Sequence, residues 1–269
     1  MRIGNREFDV QNRTYIMGIL NVTPDSFSDG GRYEKTDDAL FHAEQMIKDG
    51  ADLIDIGGES TRPGYTMIPE CREEERILPV IRAVKERFDI PVSVDTYKGA
   101  VAKSAICEGA DLINDIWGLK YDQKMAEVIA KTGVTCCLMH NRNNTEYASF
   151  FADLKKDLAG SVELAKKAGI ASDKIILDPG VGFAKSYEQN LEVIRRLFEL
   201  SSLGFPVLLG TSRKSVIGLT LDLPASERME GTIATTVLAV ERGCAFVRVH
   251  DVKENARAVR MTEQILKRR

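Results

Sequence analysis

Asp38-Ala39-Leu40-Phe41-His42-Ala43-Glu44-Gln45-Met46-Ile47-Lys48-Asp49, then Gly50, then Leu53-Ile54-Asp55-Ile56, is one unit of an arrangement that recurs along the chain. Ala39, Leu40, Ala43, Met46 and Ile47 fall on one face of a helix, and Gly50 is a stop signal. Leu53–Ile56 is a short apolar run of the kind expected for a parallel strand buried on both faces. Similar runs occur at Tyr15–Leu20, Val92–Val94, Leu112–Ile113, Val134–Met139, Ile175–Leu177, Val207–Leu209 and Phe246–Val249. Gly109, Gly133, Gly169 and Gly243 stand, like Gly50, just before a run. The last stretch, Glu254 to Lys267, places Ala258, Val259, Thr262, Ile265 and Leu266 on one side of a closing helix. Eight strands alternating with helices predict an α/β fold, a (β/α)8 TIM barrel, with an open doubly wound sheet as runner-up. No linker or low-complexity segment divides residues 1–269, which read as one domain. The connections Asn21–Lys35 and Gly57–Glu70 are longer than plain βα loops and rich in Gly, Pro, Ser and Thr.

Composition narrows the function. Hydrophobic residues make up 43% and charged residues 29% of 269, which excludes a disordered or collagen-like chain. Basic and acidic side chains number 37 and 40, a net charge of −3, so no fold-wide basic surface for nucleic acid is expected. The five cysteines lack a C-x-x-C spacing and read as reduced thiols of a cytoplasmic protein. No apolar stretch reaches the ~18 residues that span a bilayer, and no signal peptide is expected.

In a (β/α)8 barrel the chemistry lies at the C-terminal ends of the strands. The polar groups delivered there are Asn21, Asp55, Asp95, Asn114, His140, Asp178, Ser212-Arg213-Lys214, Arg248 and His250. One such residue alone is as well a helix cap or a salt bridge at the barrel mouth. Taken together they describe a deep polar pocket, with carboxylates in the middle and cations on one side. Asp95, Asn114 and Asp178 come from different strands and suit a flat heterocycle carrying N–H donors and carbonyl acceptors. A metal site of oxygen ligands is the alternative. Gly210–Ser215 is not a Walker loop, and Gly180-Val181-Gly182 lacks the third glycine of a dinucleotide fingerprint. His42 reads as structural, and His140 is open between a structural and a site role.

The motifs then become specific. Asn21-Val22-Thr23-Pro24-Asp25-Ser26-Phe27-Ser28-Asp29-Gly30-Gly31 resembles the opening signature of the dihydropteroate synthase family. Gly58-Glu59-Ser60-Thr61-Arg62-Pro63-Gly64 is similar to its second loop. Ser93–Thr96, Asn114–Ile116, Leu138–His140, Asp178–Phe183, Ser212–Ser215 and Arg248–Asp251 follow in the family's order, so the resemblance covers almost the whole chain.

The resemblance implies condensation of 6-hydroxymethyl-7,8-dihydropterin pyrophosphate with p-aminobenzoate, giving 7,8-dihydropteroate and pyrophosphate in folate synthesis. It implies that Asp95, Asn114, Asp178 and Lys214 bind the pterin and that Asn21, Arg248 and His250 bind the pyrophosphate. Asn21 is also implied as a ligand of Mg2+. Thr61, Arg62, Pro63, Phe183 and Ser215 are implied around p-aminobenzoate, and a first loop carrying Phe27 and Asp29 over the reacting centre. Asp95, Asp178, Lys214, Phe27 and Asp29 form the implied catalytic set. The partners implied are these small-molecule substrates and a second copy of the chain in a homodimer. Rival readings are a methyltetrahydrofolate–corrinoid methyltransferase barrel, a pterin carrier without catalysis, and a sugar-phosphate lyase or isomerase barrel. The first two do not need the cations at Ser212–Lys214, Arg248 and His250. The last needs a catalytic Lys or Glu on a strand, and no apolar run contains one.

Overall fold

The computed structural model describes residues 1–23, 32–59 and 66–267. A short antiparallel hairpin, β1 (Arg2–Ile3) with β2 (Arg6–Glu7), precedes the main sheet. The eight parallel strands are β3 (Tyr15–Asn21), β4 (Leu53–Gly57), β5 (Val92–Asp95), β6 (Leu112–Asp115), β7 (Thr135–Met139), β8 (Ile175–Asp178), β9 (Leu208–Leu209) and β10 (Phe246–Val249). They pair in the order β8-β7-β6-β5-β4-β3-β10-β9. The ring closes where Val207, just before β9, bridges Leu177 of β8, with Leu177 N donating to Pro206 O at 2.9 Å. Closure excludes the open doubly wound sheet. The helices between strands are α1 (Arg32–Asp49), α2 (Glu70–Arg87), α3 (Gly99–Cys107), α4 (Gln123–Thr132), α5 (Phe150–Ala168), α6 (Tyr187–Arg195), α7 (Ser215–Leu221), α8 (Met229–Glu241) and α9 (Val252–Ile265).

Two cores follow from the two-residue period of a strand. Outward positions such as Ile54, Ile56, Val92, Val94, Leu177 and Val247 pack with the helices in the larger core. Inward positions at the lower end, among them Met17, Leu53, Leu112, Cys137, Ile176, Leu208 and Phe246, fill the barrel interior. Ile3 and Phe8 from the hairpin region plug this floor, with the Phe8 ring 4.8 Å from that of Tyr15 and 5.8 Å from that of Phe246. The sequence reading missed this hairpin, because strands of two residues carry no periodicity.

Two residues further along the same inward face stand Asp55, Asp95, Asn114, Asp178 and Arg248, together with Ser93. The apolar floor thus places a polar layer directly above itself. The expected face of the closing helix needs correction. In α9 the buried positions are Val252, Asn255, Ala256, Val259, Thr262 and Glu263, while Ile265 is 66% exposed. The helix starts two residues earlier than expected and packs along the face carrying Val252, Asn255, Ala256, Val259, Thr262 and Glu263, so Ile265 and Leu266 fall off that face.

Candidate active site

The register brings Asn21, Gly57, Asp95 and Asn114 side by side on four neighbouring strands. Asn21 Oδ1 and Asp95 Oδ2 lie on either side of Gly57, 3.6 and 4.0 Å from where a Cβ would stand. On the opposite wall, Asp178 Oδ2 and Lys214 Nζ flank Gly210 at 3.7 and 3.8 Å from its missing Cβ. Lys214 feels Asp178, Arg248 and Asp95, so the residues of the implied pterin set come together in one polar layer from two sides.

A guanidinium lies across the floor. Arg248 Nε donates to Asp55 Oδ2 at 2.5 Å and Nη2 to Asp95 Oδ2 at 2.8 Å. Asp55 also accepts from Ser93 Oγ at 2.5 Å and from Asn114 Nδ2 at 3.4 Å. Burial works against the charge on Arg248, but the Asp55 and Asp95 carboxylates outweigh it and raise its pKa. Arg248 is thus a bridge inside the polar layer, with Nη1 not used by these contacts. Asp55 is the partner that sequence reasoning left without a role. The available signal was a carboxylate within an apolar strand run, where only a paired charge is tolerated.

The acids are held far from their ordinary state. Burial pushes Asp95 up to about 7, helped by Asp55 and Glu73 and opposed by Arg248 and Lys214. Burial likewise raises Asp178, against the pull of Lys214. Burial lowers Lys214 to about 8. Asp95 Oδ1 is buried and makes no hydrogen bond to any described residue.

The remaining expected residues sit round the rim. His250 Nδ1 is 2.9 Å from Ser212 Oγ, which also accepts from His250 N at 3.1 Å. Arg213 is taken by Asp251, Nη2 to Oδ1 at 2.5 Å. The Phe183 ring centroid is 4.8 Å from Lys214 Nζ, and Ser215 is exposed at the start of α7. Ile116, Met139, Tyr97, Trp117 and Phe183 form an apolar cluster over the polar layer. Asp115, next to Asn114 in sequence, faces outward and accepts from Trp117 N and Leu119 N at 2.8 and 2.7 Å, a loop-shaping role. Phe27, Asp29, Thr61, Arg62 and Pro63 lie outside the described residues. The described ends of the second connection are tied together. Lys98 Nζ contacts Glu59 Oε2 at 2.5 Å, Glu73 Oε2 at 2.7 Å and Ile68 O at 2.8 Å.

A family model for pterin binding enzymes matches residues 17–250. A dihydropteroate synthase of Clostridium beijerinckii is 58% identical over 269 residues, all of both chains. The chain belongs to the dihydropteroate synthase family. A crystal structure of the dihydropteroate synthase from Clostridium difficile, in the presence of pteroic acid, is 53% identical and superposes with a TM-score of 0.95, covering 98% of this chain and 100% of that one. Another synthase of the family, from Xanthomonas albilineans with 4-aminobenzoic acid, is 39% identical with a TM-score of 0.91, covering 95% and 94%. Among the described residues no group of three His, Cys, Asp or Glu side chains could hold a metal ion.

Proposed function

We propose that this chain joins 6-hydroxymethyl-7,8-dihydropterin pyrophosphate to p-aminobenzoate, forming 7,8-dihydropteroate and releasing pyrophosphate in folate synthesis. The observation that carries the reading, beside family membership, is the unpaired buried Asp95 Oδ1 within a layer of Asn114, Asp178 and Lys214. Such an acceptor suits the N–H edge of a pterin, which Asn114 and Asp178 complete with a donor and further acceptors. The apolar cluster of Ile116, Met139 and Phe183 supplies a face for the flat ring.

The residue types favour loss of the leaving group before attack. An arylamine is a weak nucleophile, so departure of the leaving group leads. As the C–O bond to pyrophosphate breaks, the bonding pair leaves with the oxygen and the methylene carbon gains positive charge shared with the ring. The fixed carboxylates Asp95 and Asp178 stabilise that charge without reorganising. The amine lone pair then forms the C–N bond, and its surplus proton passes to water. Asn21, His250 and the unused Nη1 of Arg248 are the groups we assign to the departing pyrophosphate.

Mg2+ would arrive on the pyrophosphate and supply charge neutralisation there. The donor set fits that use and not a resident metal, since Asn21 Oδ1 is a single amide oxygen and Mg2+ keeps waters and phosphate oxygens as its other ligands. We further propose that Thr61, Arg62, Pro63, Phe183 and Ser215 receive p-aminobenzoate and that Phe27 and Asp29 act over the reacting centre.

A homodimer is supported by large apolar side chains left exposed on neighbouring late helices, Leu219 and Leu221 of α7 and Val237 of α8. Five unpaired cysteines support a reducing, cytoplasmic setting. Among the described residues no helix is long and apolar enough to cross a membrane.

A pyrophosphate-release assay with and without p-aminobenzoate tests the function. Rapid release with the amine and slow release without it is expected. No release with both substrates and Mg2+ present would overturn the reading in favour of a pterin carrier.

A further inference from the structure

The turn after β8 is shaped by a lysine that the proposed reaction does not use. Lys185 Nζ donates to Gly180 O and to Phe183 O, both at 2.9 Å, and lies 2.9 Å from His140 Nδ1. An ammonium can only donate, so Nδ1 accepts and the ring proton sits on Nε2. That proton is given to Asp157 Oδ2 at 3.1 Å, and Asp157 also accepts from Arg142 Nε at 2.5 Å. His140 is fully buried, and burial together with Lys185 lowers its pKa to about 3, so it stays neutral. A chain of contacts therefore runs from half-buried Arg142 on the β7–α5 connection, through Asp157 and His140, to the inside of the turn.

The turn it reaches carries three contacts of the site. Asp178 Oδ1 accepts from Gly180 N at 2.7 Å. Val181 O accepts from Lys214 Nζ at 2.5 Å. The Phe183 ring stands beside the same Lys214 ammonium. The backbone between them is irregular, with φ of +69° at Gly180, +87° at Gly182 and +45° at Ala184. Such a segment keeps one shape only where its surroundings over-determine it. Lys185 supplies two of its internal bonds, and Tyr147 OH fixes Ala184 O from outside at 2.7 Å.

We propose that Lys185 is a positioning residue for the pterin site, its ammonium oriented by the His140–Asp157 pair so that it shapes the 178–184 turn from within and sets where Lys214 and Phe183 stand. The inference rests on the reading of Asp178 and Lys214 as pterin-binding groups. Burial pulls the Lys185 ammonium down to about 7, Lys214 and Arg142 pull the same way, and Asp178 and Asp157 oppose them. Against that desolvation stands the geometry: three acceptors, Gly180 O, Phe183 O and His140 Nδ1, use all the protons of an ammonium where a neutral amine has too few.

The test compares Lys185→Met, Lys185→Arg and Asp157→Ala with the unaltered protein. Calorimetry measures affinity for the pterin pyrophosphate, amide hydrogen exchange reads Gly182 and Phe183, and thermal unfolding reads global stability. Gly182 N and Phe183 N are bonded to Asn190 Oδ1 at 2.6 Å and to Gly180 O at 3.1 Å, which makes them local reporters. Lys185→Met is expected to weaken the pterin ester at least tenfold and to speed exchange at these two amides, with β5 and β6 amides unchanged. Lys185→Arg is expected to recover most of the affinity. Asp157→Ala, should the methionine variant not fold, is expected to loosen the same amides by a smaller factor. Affinity within twofold of the unaltered protein, or exchange rising through every barrel strand in step with lost stability, would overturn the proposal. If the unaltered protein binds no pterin ester, the functional reading fails, and the exchange pattern by itself still supports or overturns the hold of Lys185 on the turn.

Discussion

Arg248→Met is the most informative single substitution, because the structure sets both its size and its pH dependence. The side chain is 18% exposed and its partners Asp55 and Asp95 are 0% and 7% exposed. Methionine fills much of the volume and removes the charge, leaving two carboxylates facing each other in the barrel interior. Removing one partner of a buried ion pair costs about 3–5 kcal/mol. For a domain of this size each kcal/mol lowers Tm by roughly 2 °C, so a fall of about 6–10 °C is expected at pH 8.

The deficit should shrink in acid. Asp95 already titrates near 7 with Arg248 beside it, and loss of the guanidinium raises it further. A carboxyl whose folded pKa lies above its unfolded value contributes stability that is full below the unfolded value and is lost as pH rises through the folded one. The variant should therefore run parallel to the unaltered protein below about pH 7, where Asp95 is protonated in both, and fall away from it as pH rises above 7. Thermal unfolding across that range is the assay, with calorimetry against hydroxymethyl pterin and its pyrophosphate ester. Both ligands should weaken, since a protonated Asp95 no longer offers two acceptor oxygens. An unchanged Tm at pH 8, or a loss confined to the pyrophosphate ester, would refute the bridge and leave Arg248 as a leaving-group residue alone.

Asp178→Asn removes the anion facing Lys214 and one charged acceptor for the ring, and is expected to weaken pterin affinity by about 1.5–3 kcal/mol in calorimetry. Pterin affinity of the unaltered protein should fall as pH drops below about 7, where Asp95 takes up its proton, and Asp95→Asn should flatten that dependence. Gly180→Ala places a Cβ against the His140 carbonyl at a φ of +69° and should destabilise by at least ~1–2 kcal/mol, seen as a lower Tm. Chelation of Mg2+ should abolish turnover while leaving the affinity for hydroxymethyl pterin unchanged. Turnover in the presence of chelator would remove the metal from the pyrophosphate step.

The barrel strands were legible because burial on both faces makes most of each a short apolar run, bounded by polar residues that belong to the strand ends themselves. Asp95, Asn114 and Asp178 were legible for the same reason. The partnership of Asp55 with Arg248 was not, since 193 residues separate them and only the stagger of a closed barrel decides which inward positions meet. His140 could not be assigned from sequence because its role depends on Lys185, which reaches it by folding back along a turn with no repeating pattern. Asp115 shows the converse difficulty. It shares a motif with Asn114, yet the two-residue period turns it to the other face, where backbone N–H groups occupy it.

The apolar plug beneath the barrel joins the first residues of the chain to the last strand, and that has a consequence for biosynthesis. During translation Ile3 and Phe8 emerge long before Phe246, against which Phe8 packs. The last strand, β10, must also insert between β3 and β9, so the ring cannot seal on a ribosome-bound intermediate lacking it. Such an intermediate presents unpaired strand edges and an open apolar floor, the features that recruit chaperones and promote aggregation. The same strand brings Arg248, so Asp55 and Asp95 have no guanidinium between them until the ring is sealed. Completion of the fold and installation of the charge that balances the site are one late event in the life of each chain.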